Sequence, residues 1–286
     1  MISEIDRRRP IIEKSKKNPH KISLKHQELH DFLKHYKDAG DEILLSIIIP
    51  VYNEEKTIRN IILNLPKDDS IEIIVIDDHS TDDSIREIGK IPNSHNLKLI
   101  KHKNNKGYGG AIITGMKYAR GKVIVTMDSD GQHSPDDILR LIKPIFEDHV
   151  DNSIGSRYLG TCYYKLPLST RFGEVLIEKL VHIWFGIKIV NNQNGFRAYD
   201  RKMLHIFDNI RFLGYAFCTE QIVKAKLNGY RIKEYPIKVY NREHGSSKIV
   251  LWKLALDIFS CLLIYWYKKI RYQIFRKNAN LNSVFF

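Results

Sequence analysis

The chain has 286 residues, 43% of them hydrophobic and 28% charged, a size that buries one large core, or one core with appendages. Its three cysteines, Cys162, Cys218 and Cys261, lie far apart with no Cys-x-x-Cys pair, which weighs against a disulfide framework or structural zinc and suits a reducing compartment. The net charge of +13 lies mainly in the second half and tail, and fits either a nucleic-acid partner or phosphate chemistry at an anionic membrane surface.

Residues 1–42 are polar and rich in Lys, Arg and His. Arg7-Arg8-Arg9 has no apolar segment behind it, so this stretch does not read as a secretory signal. It reads as a basic arm or a loosely docked short helix around Leu24–Tyr36. From Leu44 the texture changes. Leu44–Val51, Ile71–Asp77, Leu97–Lys101 and Lys122–Met127 are short strand-like runs, alternating with helix-like Glu54–Leu65, Asp82–Lys90, Tyr108–Ala119 and Pro135–Phe146. The alternation predicts an α/β fold of βαβ units with a mostly parallel central sheet. Asp151–Gly155, Phe196–Tyr199 and Ile237–Tyr240 read as further strands, with helices at Phe172–Phe185 and through Thr219–Leu227.

The C-terminal stretch Ile249–Tyr267 carries only Lys253 and Asp257 as charges, and Lys268-Lys269-Ile270-Arg271 follows. Two charges within so short a stretch weigh against a spanning helix. An amphipathic interfacial helix with a basic flank and aromatics at Trp252, Tyr265, Trp266 and Tyr267 is expected; packing on the domain or on a second copy is the alternative. The chain thus divides into an arm at 1–42, a catalytic-size domain at 43–248 and a helical tail at 249–286.

The chemistry gathers at the predicted strand ends. Val123–Met127 runs into Asp128-Ser129-Asp130-Gly131-Gln132-His133, and Ser134-Pro135 opens the next helix. Two carboxylates one residue apart at the carboxyl end of a buried strand place hard oxygen ligands where open α/β sheets bind ligands, which suits Mg²⁺ or Mn²⁺ bridging to phosphates. Taken alone they also read as an acidic turn. Glu54, Asp77 and Asp78 stand at two more strand ends, placed to hydrogen-bond a base and a ribose, whereas Glu55 and Asp82 read as helix caps. The glycines of Lys106-Gly107-Tyr108-Gly109-Gly110 lack the Gly-Lys-Ser/Thr of a Walker loop. They bring backbone close to a nucleotide or pack a helix on the sheet. His79 and His133 read as turn or helix-start residues rather than bases.

Taken in order, Ile49-Pro50-Val51-Tyr52-Asn53-Glu54, Val75-Ile76-Asp77-Asp78-His79-Ser80-Thr81-Asp82, Asn105-Lys106-Gly107-Tyr108-Gly109-Gly110 and Met127-Asp128-Ser129-Asp130-Gly131-Gln132-His133 resemble the family 2 glycosyltransferases. Ile154-Gly155-Ser156-Arg157-Tyr158, Asn194-Gly195-Phe196-Arg197-Ala198-Tyr199 and the Tyr215–Lys248 region resemble one branch, the polyprenyl-phosphate sugar synthases, with dolichyl-phosphate mannose synthase as the nearest kind. The resemblance implies a GT-A fold and a nucleotide-sugar donor. It implies that Asp128, Asp130 and Gln132 hold the metal, and that Pro50, Tyr52, Glu54, Asp77 and Asp78, with Asp128, line the nucleotide. Arg157 and Arg171 would grip the acceptor phosphate, and Arg242 and Lys248 would belong to a loop closing over the diphosphate. For Arg157, Arg171 and Arg197 the alternative is an ion pair, and for Arg197 a structural role is expected.

The implied reaction is metal-dependent, inverting transfer of a hexose to dolichyl or polyprenyl phosphate, with GDP-mannose the favoured donor. UDP-glucose, a UDP-N-acetylhexosamine, or a glycan acceptor are the alternatives. A phosphate monoester is already ionised at neutral pH, its second pKa being about 6, so no general base is expected. The implied setting is the cytoplasmic face of a membrane, with no nucleic-acid partner. Attachment would come through the C-terminal helix, a homo-oligomer or a membrane subunit.

Overall fold

The computed structural model describes residues 22–37, 43–92, 96–164, 168–242 and 251–278. Seven strands, β1 (Leu45–Val51), β2 (Ile71–Asp77), β3 (Leu97–Lys101), β4 (Val123–Thr126), β5 (Asn152–Cys162), β6 (Arg197–Asp200) and β7 (Ile232–Val239), form one sheet in the order β3-β2-β1-β4-β6-β5-β7. The helices are α1 (Ile22–His35), α2 (Ile58–Leu63), α3 (Ser84–Gly89), α4 (Gly107–Tyr118), α5 (Ile138–Phe146), α6 (Leu168–Phe185), α7 (Phe217–Leu227) and α8 (Leu251–Asn278), with 3-10 turns at Pro135–Asp137 and Arg201–Phe207.

Alternation along the strands divides the core between the two sheet faces. Leu45, Ile47, Ile49, Ile71, Ile73, Val75, Val123 and Val125 pack with Ile138, Leu141 and Ile142 of α5 on one side. Ile48, Ile74, Ile76 and Ile124 meet Ala111, Ile112 and Met116 of α4 on the other. A third cluster joins Val181 and Phe185 of α6, Ile222 and Val223 of α7, and Ile258, Cys261, Leu262 and Tyr265 of α8. The C-terminal helix is therefore seated on the domain by one face. Its anchor is polar as well: the Tyr265 hydroxyl donates to Glu220 at 2.6 Å, and Glu220 also accepts from the Arg211 and Phe212 amides.

The N-terminal helix is firmly rather than loosely docked. Leu29 and Leu33 of α1 are buried in the first core cluster, and the rings of Phe32 and Tyr36 lie 5.6 and 5.0 Å from that of Phe146. Predicted and observed boundaries part in several further places, among them α2, β5 and β7. α2 starts at Ile58 because Glu54–Thr57 forms a turn, the Ile58 amide donating to the Glu54 carbonyl at 3.0 Å. β5 continues past Gly155 to Cys162 and β7 begins at Ile232, the two pairing in parallel through a register shift between Ser156 and Thr161. Their sequences are polar or proline-bearing, a pattern that an edge strand such as β7 tolerates and a hydrophobicity reading passes over.

Four of the six pairings are parallel: β1 with β2 and β4, β2 with β3, and β5 with β7. β6 runs antiparallel to both β4 and β5. That reversal places the start of β6 beside the end of β4, Arg197 pairing with Thr126.

Candidate active site

Thr126 pairs with Arg197 across β4 and β6, and the Thr126 hydroxyl donates to the Gly195 carbonyl at 2.6 Å. Asn194-Gly195 thereby lies beside the Asp128-Ser129-Asp130 turn. Ser129 is tied down from two sides: its hydroxyl donates to the Pro50 carbonyl and its carbonyl accepts from the Thr57 hydroxyl, both at 2.7 Å. These bonds fix the backbone that carries the two carboxylates.

Asp130 accepts from the Gln132 amide at 3.0 Å through one oxygen and from Arg242 Nη2 at 2.8 Å through the other. Asp128 Oδ1 is buried without a hydrogen-bond partner, and Oδ2 lies 3.7 Å from His133 Nδ1. Burial pushes the Asp128 carboxyl up, His133 opposes this and Asp130 adds to it. The His133 ring stacks on Phe196 at 5.0 Å. Gln132 is turned toward the end of β7, its amide donating to the Tyr240 carbonyl at 3.2 Å while the Tyr240 amide donates back to the Gln132 carbonyl at 2.9 Å. The structure thus gives Gln132 a strand-joining role beside its expected metal one. The donor set fits a hard divalent ion. A buried carboxylate oxygen lacks a partner, and a guanidinium already occupies the cation's place on Asp130. Among the described residues no cluster of three His, Cys, Asp or Glu forms a complete ligand set, so the remaining ligands would come from outside the side-chain carboxylates.

On the expected nucleoside side, Pro50 is a strand residue and Tyr52 is exposed just beyond it. Glu54 accepts from the Thr57 hydroxyl at 3.2 Å. Asp77 closes its own turn by accepting from the Ser80 amide at 3.3 Å. Asp78 is buried, and both its oxygens are committed: they accept from the Lys106 and Gly107 amides, each at 2.8 Å, and His102 Nδ1 lies 2.7 Å away. His102 Nε2 is in turn 2.9 Å from the Thr114 hydroxyl. Asp78 therefore shapes this side by holding the 102–107 loop rather than by presenting an open carboxylate, and His102 is a partner that the sequence reading missed. Asp82 and Glu55 cap each other's segments, Asp82 accepting from the Glu55 amide at 3.1 Å and Glu55 from the Asp83 amide at 3.0 Å.

Three further residues floor the carboxylate turn. The Tyr108 and Tyr215 rings stack at 5.8 Å. A Cβ on Gly195 would sit 2.3 Å from the Tyr108 hydroxyl and 2.4 Å from Asp128 Oδ1, so any side chain where the backbone enters β6 would push both groups aside. Gly109 serves the same assembly. Its amide donates to the Leu213 carbonyl at 2.7 Å, and a Cβ there would strike Phe217 at 2.8 Å. The glycine-rich turn thus receives the segment that carries Tyr215. In the sequence, the Asn194-Gly195 step and the glycine repeat were the only signals of this floor.

The arginines separate by role. Arg197 is fully buried and donates to the carbonyls of Asn192, Asn194 and Cys218, a structural post as expected. Arg157 donates to Glu174 at 2.6 Å and to the Tyr164 hydroxyl at 2.8 Å. Arg171 lies over the Tyr158 ring, 4.1 Å from its centroid, and within 3.7 Å of Glu174. Just past β5, Tyr163 stacks on Tyr240 at 4.7 Å, and the Tyr240 amide donates to the Gln132 carbonyl at 2.9 Å, which links the strand carrying Arg157 to the carboxylate turn. Lys248 lies outside the described residues.

An open α/β sheet whose strand ends gather paired carboxylates, a glycine turn and buried arginines defines a nucleotide-sugar-binding fold of the GT-A type. The sequence profile of Glycosyl transferase family 2 matches residues 46–207, more than half of the chain, and the chain belongs to that family. It is 34% identical over 239 residues to the UDP-N-acetylglucosamine–dolichyl-phosphate N-acetylglucosaminyltransferase of Methanococcus voltae, covering 77% of this chain and 95% of that one. It is 28% identical over 216 residues to the polyprenol monophosphomannose synthase of Mycolicibacterium smegmatis, covering 71% and 80%. In fold it is similar to glucosyl-3-phosphoglycerate synthase from Mycobacterium tuberculosis, crystallised with Mn²⁺, UDP and phosphoglyceric acid. The TM-score is 0.62 at 20% identity, over 84% of this chain and 82% of that one.

Proposed function

We propose that the protein transfers a sugar from a nucleotide-sugar donor to a polyprenyl phosphate, with inversion at the anomeric carbon. One observation carries the acceptor. Helix α6 presents Arg171 and Glu174 inward to Arg157, while Phe172, Leu176 and Ile183 on the same helix are exposed. Trp252, Leu256 and Phe259 of α8 are exposed as well, and Trp184 meets Trp266 at 5.4 Å between the helices. A phosphate-binding cluster backed by an apolar outer face suits an amphiphile with a charged head and a hydrocarbon tail. No helix among the described residues is long and apolar enough to cross a membrane. The two helices would instead lay the enzyme on the cytoplasmic face of one.

In the reaction, an ionised oxygen of the acceptor phosphate attacks the anomeric carbon as the bond to the nucleoside diphosphate breaks. Arg157 and Arg171 position that phosphate, and no side chain need remove a proton. Asp128 and Asp130 would hold a divalent ion, Mg²⁺ or Mn²⁺, which when bound neutralises charge on the diphosphate. Arg242, 2.8 Å from Asp130, is placed to exchange that carboxylate for the leaving group, and Lys248 would assist from the same segment. Tyr108, Tyr215 and Gly195 would form the floor under the donor sugar.

The relative matched over the longer alignment and at the higher identity favours a UDP-N-acetylhexosamine over GDP-mannose as donor. The test is transfer of radiolabelled sugar from UDP-N-acetylglucosamine, UDP-glucose and GDP-mannose to dolichyl phosphate, with Mn²⁺ and with EDTA. A lipid-extractable product from one donor, lost in EDTA, is expected. No lipid product from any donor, with nucleotide binding intact, would refute the acceptor.

A further inference from the structure

Helix α6 buries a carboxylate in the middle of the arginine cluster. Glu174 is 9% exposed. One of its oxygens accepts from Arg157 Nη2 at 2.6 Å, the other accepts from the Tyr158 hydroxyl, and Arg171 Nη1 lies 3.7 Å away. Donors outnumber acceptors around it. Arg157 Nε, Arg171 Nε and Arg171 Nη1 are all buried with no hydrogen-bond partner. Guanidinium donors are expensive to bury unsatisfied, and an ion pair serving only the fold would not leave three of them in one place. The cluster is built for more acceptor oxygens than Glu174 supplies, and a phosphate carries them.

Charge adds a second constraint. Arg157 and Arg171 are balanced by Glu174 and by Glu178, the latter 3.9 Å from Arg171. A phosphate dianion entering this cluster meets a carboxylate already in hydrogen-bond range of the same guanidinium groups. It must displace that carboxylate or bind against its repulsion.

We propose that Glu174 is a resident stand-in for the acceptor phosphate, an assignment that rests on the polyprenyl-phosphate reading above. With no acceptor bound it holds Arg157, Arg171 and the Tyr158 hydroxyl in place. When a phosphate monoester arrives it yields those donors, and the exchange sets acceptor affinity. Glu174 is thus a positioning residue that trades binding strength for a pre-formed, charge-balanced site. Glu178 approaches Arg171 Nη2 only at 3.9 Å and serves as the comparison.

The test uses the full chain with E174Q, E174D and, as a control, E178Q. Glutamine keeps the shape and an acceptor oxygen but removes the charge, and aspartate keeps the charge but withdraws it from Arg157. In both Glu174 variants the KM for dolichyl phosphate should fall, by at least about tenfold in E174Q given charge repulsion at this range. The donor KM should stay within about twofold, and E178Q, which removes the more distant charge, should lower the acceptor KM clearly less than E174Q does. Calorimetric titration with inorganic phosphate should show the same tightening without any turnover. An unchanged or raised acceptor KM in a folded Glu174 variant, or an equal effect in E178Q, would overturn the proposal. If E174Q does not fold, E174D carries the same expectation. Loss of the polyprenyl-phosphate reading would look different: wild-type protein would make no lipid product, while inorganic phosphate would still bind more tightly to E174Q than to wild type.

Discussion

Replacing Gly195 with alanine separates the stability of this protein from its chemistry. The added Cβ would meet Asp128 Oδ1 at 2.4 Å and the Tyr108 hydroxyl at 2.3 Å, whereas ordinary van der Waals contact begins near 3.4 Å. Both obstacles are the far ends of side chains, so β6 need not move; the Asp128 carboxylate and the Tyr108 ring must each shift by about 1 Å. Forcing them off their rotamers costs about 0.5–1.5 kcal/mol apiece, about 1–3 kcal/mol together, and at roughly 2–4 °C per kcal/mol the melting temperature of a chain this long should drop by about 2–12 °C. The catalytic effect is larger. A displacement of ~1 Å in a group that orients reactants lowers turnover by about 100-fold. The assay is initial-rate transfer to dolichyl phosphate beside a thermal melt and far-ultraviolet circular dichroism of the same preparation. Turnover within about threefold of wild type in a folded Gly195→Ala protein would show that Asp128 is not held to its place by this contact, and the geometry argued for the site would fall with it.

Asp130→Ala removes one of the two paired carboxylates and the partner of Arg242, so metal-supported transfer should fall by about 1,000-fold or more, with the fold intact by circular dichroism; unchanged turnover would remove Asp130 from the site. Ile183 and Trp252 are 72% and 69% exposed on α6 and α8, so the double variant Ile183→Glu/Trp252→Glu should lose flotation with anionic vesicles while keeping its melting temperature. Undiminished flotation would show that this face does not meet the lipid. A change of oligomeric state instead, read by light scattering, would assign the face to a second copy. At the opposite sheet edge, burial pushes the Asp151 carboxyl up, but Arg231 and Lys202 outweigh it and hold the group well below the usual carboxylate range. A carboxylate depressed in the folded state contributes stability that is complete above its unfolded pKa of about 4 and is lost as pH falls below it. Asp151→Asn should therefore cost about 1–2 kcal/mol in urea unfolding at pH 7, its half-exposed partners being screened by water, with the gap to wild type narrowing below about pH 4; a gap independent of pH would refute the ion-pair account.

What the sequence revealed and what it hid follow from how each signal arises. β1, β2 and β4 were legible because strands buried on both faces must be nearly continuous in Ile, Val and Leu, and the half-buried edge strand β3 because its Leu and Ile stand between lysines; Ile71–Asp77 and Leu97–Lys101 agree with the structure residue for residue. The paired carboxylates were legible because their place depends only on where β4 ends. β7 was half hidden, since Lys233, Glu234 and Pro236 take their strand geometry from pairing with β5 and not from their own pattern. α1 was misjudged for a related reason. Its sequence is polar overall, and the two leucines that decide its docking are a single helical turn of burial within it.

Partners, as opposed to positions, were the least legible. Asp77 and Asp78 look equivalent as neighbours at a strand end, yet one caps its own turn while the other is enclosed by His102, Lys106 and Gly107, residues from a loop two elements away. Arg157 and Arg171 read from the sequence as grips for a phosphate or as ion-pair residues, and the partner they share is not legible because Glu174, three residues after Arg171, looks like an ordinary helical ion-pair residue. Spacing along one helix shows that Arg171 and Glu174 share a face. It does not show that β5 delivers Arg157 and Tyr158 to the same carboxylate. That meeting depends on β6 running backwards, which lets β5 lie parallel to β4 and bring its carboxyl end to the edge where Asp128 and Asp130 stand. One reversed strand of four residues thus brings the carboxylate turn and the strand that carries Arg157 to the same end of the sheet, and no residue within that strand announces it.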